Sequence, residues 1–259
     1  MQYGVCALSA IPMRKDPEDA AEMINQVLFG ETFEVVEHRK KWSLVRLAHD
    51  QYEGWIDNKQ MEPCTETFYK SGTSATPTVS QELIDIISDQ KTAEFYPIFV
   101  GSVLPFYSPG GKLKIGERDF SFSGAAQQGQ KDRDKLVEHA YQYLNAPYLW
   151  GGRTPAGIDC SGFTQMVYRL AGFSLPRDSG QQATHGITLS FIEESEPGDL
   201  AFFDNEEGRI VHVGIILHDN YILHASGKVR LDRLDQTGIF NRETGSHTHK
   251  LRVIKKIIG

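Results

Sequence analysis

The spacing of apolar residues changes character along the chain. In residues 1–63 the β-branched and aromatic residues cluster in short runs. TFEVVEH (32–38) and WSLVRLA (42–48) are separated by the charged RKK, which predicts a hairpin, and QYEGWID (51–57) predicts a further strand. PMRKDPEDA (12–20) reads as a polar loop. These elements predict a small β-domain over 1–63. In residues 64–130, TFYKSGTSATPTVS (67–80) reads as loop and SQELIDIISDQ (80–90) as one short helix. EFYPIFVGSVLPFYS (94–108) and KLKIGERDFSFS (112–123) read as strands around the turn SPGGK. A second small β-domain follows, ending in the polar linker SGAAQQGQ (123–130).

From residue 131 the period becomes helical. KDRDKLVEHAYQYLNA (131–146) places Leu136, Val137, Ala140, Tyr141 and Leu144 on one face. After the loop APYLWGGRTPAGI (146–158), DCSGFTQMVYRLAGFSLP (159–176) carries Phe163, Met166, Val167, Leu170 and Ala171 at helical spacing. Asp159 can cap its start, Gly172 can end it and Pro176 prevents extension. DLAFFD (199–204), RIVHVGIIL (209–217), YILHAS (221–226) and KLRVIKKI (250–257) then read as strands. Helices followed by an antiparallel sheet form an α+β pattern over 131–259.

Composition narrows the class. Of 259 residues, 40% are hydrophobic and 24% charged, as in an ordinary globular protein. No apolar run approaches the ~20 residues of a membrane span. A formal charge of −7 argues against a nucleic-acid surface. Three cysteines, Cys6, Cys64 and Cys160, are too few and too irregular for a disulfide framework and suit a reducing compartment. The N-terminal MQYGVCALSAIPMRK lacks the pattern of a secretory signal, so the expected location is the cytoplasm; a signal removed from the natural chain would instead imply secretion.

Cys160 falls in the first turn of its helix, on the apolar face. Partial positive charge at a helix start stabilises a thiolate, which is the nucleophilic form. A structural cysteine is the alternative for that residue alone. RIVHVGIIL and YILHAS flank HDN, a three-residue hairpin loop that would pair Leu217 with Tyr221 and His212 with Ser226. His212 and His224 then lie diagonally on one sheet face. A thiol and two histidines form a nucleophile, a base and an orienting group. The same three residues could bind zinc. No helical H-E-x-x-H and no C-x-x-C occurs, so neither a metal nor another cofactor is expected; His247 and His249 read as a solvated loop.

The motifs Y-L-W-G-G (148–152), D-C-S-G-F (159–163), P-R-D-S (176–179), P-G-D-L-A-F-F (197–203), H-V-G-I (212–215) and H-A-S (224–226) resemble those of the NlpC cell-wall peptidase family. The resemblance implies a papain-like catalytic domain over 131–259, preceded by two SH3-like domains at 1–63 and 64–130. It implies Cys160 as nucleophile, His212 as base, His224 as the third polar residue and Tyr148 beside the nucleophile. It also assigns Asp178 and Ser179 to the substrate's amino group; a loop or helix cap is the alternative role for that pair. From the first SH3-like domain, Glu31 in F-G-E-T and Tyr52 in Q-Y-E-G-W-I are further substrate-binding candidates.

The subgroup so implied hydrolyses the γ-D-glutamyl–diamino acid bond of peptidoglycan stem peptides bearing a free N-terminal L-Ala, a murein-recycling activity. Its expected partners are those peptides, with no nucleic acid or membrane. The oligomeric state is not encoded legibly, and a monomer is the expectation. An acyltransferase or another amidase on the same Cys-His-His site, or a non-catalytic wall-binding protein, are the rival readings.

Overall fold

The computed structural model describes residues 2–71, 73 and 76–258. Part of the loop expected at 67–80, namely residues 72, 74 and 75, lies outside the described residues. The chain divides into two units. The first comprises Met1–Gly129 with the short segments Trp150–Thr154 and Gly172–Ser174; the second comprises Gln130–Leu149, Pro155–Ala171 and Leu175–Gly259.

In the first unit, seven antiparallel strands form one sheet in the order Met23–Leu28, Ala10–Arg14, Glu53–Asp57, Trp42–Leu47, Thr32–His38, Gln2–Val5, Glu62–Cys64. The expected hairpin is present, with Val35 opposite Val45 and His38 opposite Ser43. Cys6, Ile11, Met13, Val27, Phe33, Val45, Leu47 and Ile56 fill its core. Ala10–Arg14 extends a strand into what the Pro-containing sequence suggests is loop. Pro12 alternates with buried Ile11 and Met13, so the apolar period overrides the turn signal.

A four-stranded sheet follows in the order Phe95–Phe99, Ile84–Asp89, Arg118–Phe122, Lys112–Ile115. The helix expected over 80–90 is therefore a strand. Ile87 and Asp89 are buried on one side while Ile84 and Ile86 stay exposed; period two wins because neighbours pair on both edges. Conversely, Glu66–Ser71 is a short helix inside the segment expected to be loop. Its Phe68 is buried in the core with Phe29, Ile87, Phe120 and Phe122.

In the second unit the helix Arg133–Gln142 starts at Asp132, whose side chain accepts from Lys135 N–H. Its buried face is Leu136, His139 and Ala140, continued by Tyr143, rather than the expected set; Tyr141 and Leu144 are exposed. The helix ends one turn earlier than the sequence suggests, and Tyr143 turns inward to meet Phe163 edge-on, with centroids 5.9 Å apart. The helix Cys160–Leu170 is as expected. Asp159 accepts from Gly162 N–H at 2.7 Å, the apolar stripe is buried, and Gly172 follows with φ +87°.

The strands of this unit run Ile187–Leu189, Ser246–Lys256, Leu200–Asp204, Ile210–Ile216, Tyr221–Ser226, Lys228–Leu234, Gly238–Asn241, all antiparallel, and Gly238–Asn241 pairs back onto Ser246–Lys256. The sheet thus closes into a six-stranded barrel with Ile187–Leu189 added at its side. Ala201, Phe203, Ile216, Ile222, Leu234, Ile239 and Ile254, from all six barrel strands, pack into one cluster. The unit is mostly sheet with few helices, and its sheet is closed rather than open. The last strand begins at Ser246, so His247 and His249 are strand residues and not the expected loop. Closing the barrel requires a partner for Gly238–Asn241, and the polar S-H-T-H run supplies it.

Candidate active site

The hairpin of Ile210–Ile216 and Tyr221–Ser226 turns through His218–Asn220, with Asp219 and Asn220 both at φ 57°. Aspartate and asparagine tolerate this left-handed backbone better than most residues. The register follows: Leu217 N–H donates to Tyr221 O, Ile216 faces Ile222 and Gly214 faces His224. His212, two residues from Gly214, therefore shares a face with His224, diagonally opposite. Gly214 is required by this closeness. A Cβ there would stand 2.9 Å from His224 Cβ and 2.8 Å from Ile222 Cδ1.

His212 and Ile216 stand four residues apart and His224 and Ile222 two, so both histidines lie on the face that fills the barrel. The His212 ring is 5.7 Å from that of Phe203. His212 Nε2 lies 2.9 Å from His224 Nδ1, and His224 Nε2 lies 3.0 Å from Asp232 Oδ2. Cys160, 6% exposed, sits at the helix start; its sulfur accepts hydrogen bonds from the backbone N–H groups of Val213, next to His212, and of Ser161.

Burial dominates the ionisation of this group. It pushes the Cys160 thiol up to about 12, with the Asp159 charge adding and the two N–H donors and Arg177 opposing. It holds His212 well below the ordinary histidine range, helped by its two histidine neighbours. Each group alone prefers its neutral form.

Asp159 also anchors the nucleophile loop. Arg177 grips both its oxygens, at 2.9 Å and 2.6 Å, and donates to Ser161 Oγ at 2.9 Å. The next two residues, Asp178 and Ser179, open the short helix Ser179–Gln182, with exposed Asp178 at its N-cap. Gln182 ties this helix back by donating to Ser161 O at 3.0 Å, so the two substrate candidates are fixed relative to the nucleophile helix. Tyr148 is 36% exposed and bridges through its backbone to Ile158, two residues before Cys160; burial raises its phenol to about 12, and the Cys160 charge adds to the shift.

Glu31 and Tyr52 belong to the first unit. Glu31 is 2% exposed and both its oxygens are engaged: Arg153 donates at 2.9 Å and 3.0 Å, and Leu28 N–H at 2.8 Å. A second cation at that carboxylate would compete with Arg153. Tyr52 packs on the core of the seven-stranded sheet.

Sequence reasoning passed over Asp232, Arg230, Arg177 and the role of His249. The first two were accessible: in R-L-D-R-L-D, Arg230 faces His224, so Asp232, two residues on, shares its side of the sheet. His249 stacks on His212, with centroids 4.2 Å apart and planes 25° from parallel. The ring nitrogens of His212, His224 and His249 come within 4.8 Å of one another, a donor set of the kind zinc uses. Lone pairs in near-parallel stacked rings do not converge on one ion, however, and His212 Nε2 and His224 Nδ1 are already hydrogen-bonded to each other. The arrangement is that of a proton chain.

Comparison with known proteins identifies the family. The NlpC/P60 family signature matches residues 145–248, which hold Cys160, His212 and His224, and the bacterial dipeptidyl-peptidase SH3 domain matches residues 13–61. A γ-D-glutamyl-L-lysine dipeptidyl-peptidase of Bacillus subtilis is 31% identical over 216 residues, covering 77% of this chain and 71% of that protein. A protein of the same name from Bacillus cereus is 26% identical, over 89% of this chain and 76% of its own length. The crystal structure of an NlpC/P60 family protein from Bacillus cereus shares the fold, with a TM-score of 0.83 at 20% identity over 99% of this chain and 100% of that one. With a helix-start thiol, a paired-histidine hairpin and these motifs in order, the chain belongs to the NlpC/P60 family of cysteine peptidases and carries an SH3 domain ahead of its catalytic region.

Proposed function

We propose that the protein hydrolyses the bond between γ-D-glutamate and the following diamino acid in peptidoglycan stem peptides whose N-terminal L-Ala is free. The observation that carries this is Cys160 at its helix start and the His212–His224–Asp232 hydrogen-bond chain, with Asp178 and Ser179 on the short helix that Gln182 ties to Ser161. The names of the two Bacillus relatives supply the substrate class. His212 takes the Cys160 proton as sulfur attacks the amide carbonyl. The C–N bond breaks, His212 returns the proton to the leaving amine, and water releases the thioester by the same route. The Cys160 N–H and the Tyr148 hydroxyl are the oxyanion donors in this scheme. This is papain-like chemistry, on a helix set against a closed barrel. The two β-rich portions of the first unit act as SH3-like modules in it, at 1–63 and 64–130.

Asp178, exposed and carboxylate-bearing, pairs with the substrate ammonium, and Ser179 adds a hydroxyl. Because Glu31 is already held by Arg153, amine recognition rests on Asp178 and Ser179 first. The substrates are small soluble fragments already freed from the wall, cut inside the cell by a monomer. The free thiols of Cys6, Cys64 and Cys160 suit that compartment.

The deciding experiment is mass spectrometry of L-Ala-γ-D-Glu-diamino acid peptides digested with free and acetylated N-termini. Release of the free diamino acid is expected, with kcat/KM at least ~10-fold lower after acetylation, and Asp178→Ala removing most of that difference. Equal cleavage of both peptides defeats the amine anchor. Cell fractionation tests the location; native protein outside the cytoplasmic membrane overturns the recycling role.

A further inference from the structure

The hydrogen-bond chain behind the nucleophile continues past His224. Asp232, 1% exposed, receives the His224 Nε2 contact and is itself gripped by Arg230, with Nε to Oδ2 at 2.6 Å and Nη2 to Oδ1 at 3.2 Å. Arg230 is braced in turn by Glu243 Oε2 at 3.0 Å and Asn241 Oδ1 at 3.1 Å. Burial pushes the Asp232 carboxyl up, but the hydrogen bonds and charges of His224 and Arg230 hold it below the ordinary range. It is therefore a carboxylate, and a carboxylate only accepts.

Proton positions follow from this. His224 Nε2 must carry a hydrogen to meet Asp232. Burial keeps His224 neutral against the pull of Asp232, and a neutral imidazole has one N–H, so Nδ1 is an acceptor. His212 Nε2, 2.9 Å away, must then donate. His212 is neutral too, which leaves its Nδ1 bare and able to take the thiol proton. A further titratable group, His249, stacks on His212 and lies 5.6 Å from the His224 ring. Burial and the His224 charge lower His249 to about 4, so it adds no positive charge near neutrality.

We propose that Asp232, braced by Arg230, is a positioning residue that fixes the tautomers of both histidines and so makes His212 Nδ1 the base. The inference rests on the Cys160–His212 reading of the site but not on the identity of the peptide. Without Asp232, Arg230 would face His224 Nε2. A guanidinium can only donate, so it favours a bare Nε2 and moves the proton to Nδ1. His212 Nε2 must then accept, its proton shifts to Nδ1, and the base is lost.

Two measurements on the full chain test this. In Cys160→Ala protein, ¹⁵N-histidine NMR near neutral pH should show His224 and His212 both protonated on Nε2. In the active protein, Asp232→Ala should slow iodoacetamide alkylation of Cys160 and lower kcat by at least ~100-fold, with KM changed by less than about threefold. Asp232→Asn, whose amide oxygen can still accept from His224, should recover most of both. The proposal is overturned by a His224 proton on Nδ1 in the Cys160→Ala protein, which decides the matter even if Asp232→Ala fails to fold. It is equally overturned by Asp232→Ala alkylating and turning over within about threefold of the parent. Neither NMR nor alkylation needs a peptide, so a wrong substrate assignment shows separately, as normal thiol reactivity without cleavage.

Discussion

Arg177→Met isolates the contribution of the ion pair beneath the nucleophile. Arg177 is 1% exposed and Asp159 5% exposed, and the guanidinium meets both carboxylate oxygens. Methionine keeps much of the volume and removes the cation. Asp159 is then a buried carboxylate that keeps its cap bond from Gly162 N–H and a long contact from Ser161 Oγ at 3.4 Å but has lost its guanidinium. Removing one partner of such a pair costs about 3–5 kcal/mol, against a total stability of about 5–15 kcal/mol. The variant should fold but lose much of its margin in urea denaturation. A second effect bears on chemistry. The Arg177 charge lowers the Cys160 thiol and the Asp159 charge raises it, so losing Arg177 raises it further; each unit is a tenfold loss of thiolate at fixed pH. Alkylation of Cys160 by iodoacetamide should slow accordingly. Adding Asp159→Asn to Arg177→Met removes the stranded charge and should recover part of both losses, a non-additivity expected of neighbours in one network. A single variant within about 1 kcal/mol of the parent, or a double variant no better than the single, would refute the reasoning.

Three further outcomes are expected. Gly214→Ala should cost about 1–3 kcal/mol by overpacking and lower kcat, because the new methyl group meets His224 Cβ and displaces a ring of the proton chain; unfolding curves and single-turnover rates check this. Cys160→Ala and alkylated wild type should both be inactive, while EDTA should leave hydrolysis unchanged; loss of activity with EDTA, restored by zinc, would favour a metalloenzyme. Stability should fall as pH drops below about 6.5. The folded values of His212, His224 and His249 are all lowered from 6.5, so the unfolded chain binds the extra protons, and each fully buried histidine costs up to ~1.4 kcal/mol per pH unit until its folded value is passed. Urea midpoints that stay level between pH about 7.5 and about 5 would contradict this.

Local chemistry was enough for the parts of this protein that depend on neighbours in sequence. Asp159 as a cap, the apolar stripe from Phe163 to Leu170 and the three-residue turn at His218–Asn220 fix where Cys160 sits and which face His212 and His224 share. A helix cap acts within one turn, and a hairpin register follows from its loop length. Where a pattern was ambiguous, pairing decided. Residues 80–90 carry apolar positions that suit a helix or a strand, and two flanking strands make Ile84–Asp89 a strand. The polar run at His247 has no apolar signature at all. It becomes strand because Gly238–Asn241 needs a partner to close the barrel.

The same division runs through the candidate site. Cys160, His212 and His224 follow helix or hairpin logic, so the sequence determined where they sit. Asp232 could have been reached by counting one strand further. His249 could not, because it arrives at His212 only when Ser246–Lys256 pairs with Leu200–Asp204, far earlier in the chain, a contact that no local period encodes. Arg177 lies 18 residues from Asp159 and reads in sequence as a loop residue beside Pro176. Only tertiary structure makes it the buried counter-charge of the helix cap, since burying Asp159 without a cation would be prohibitive.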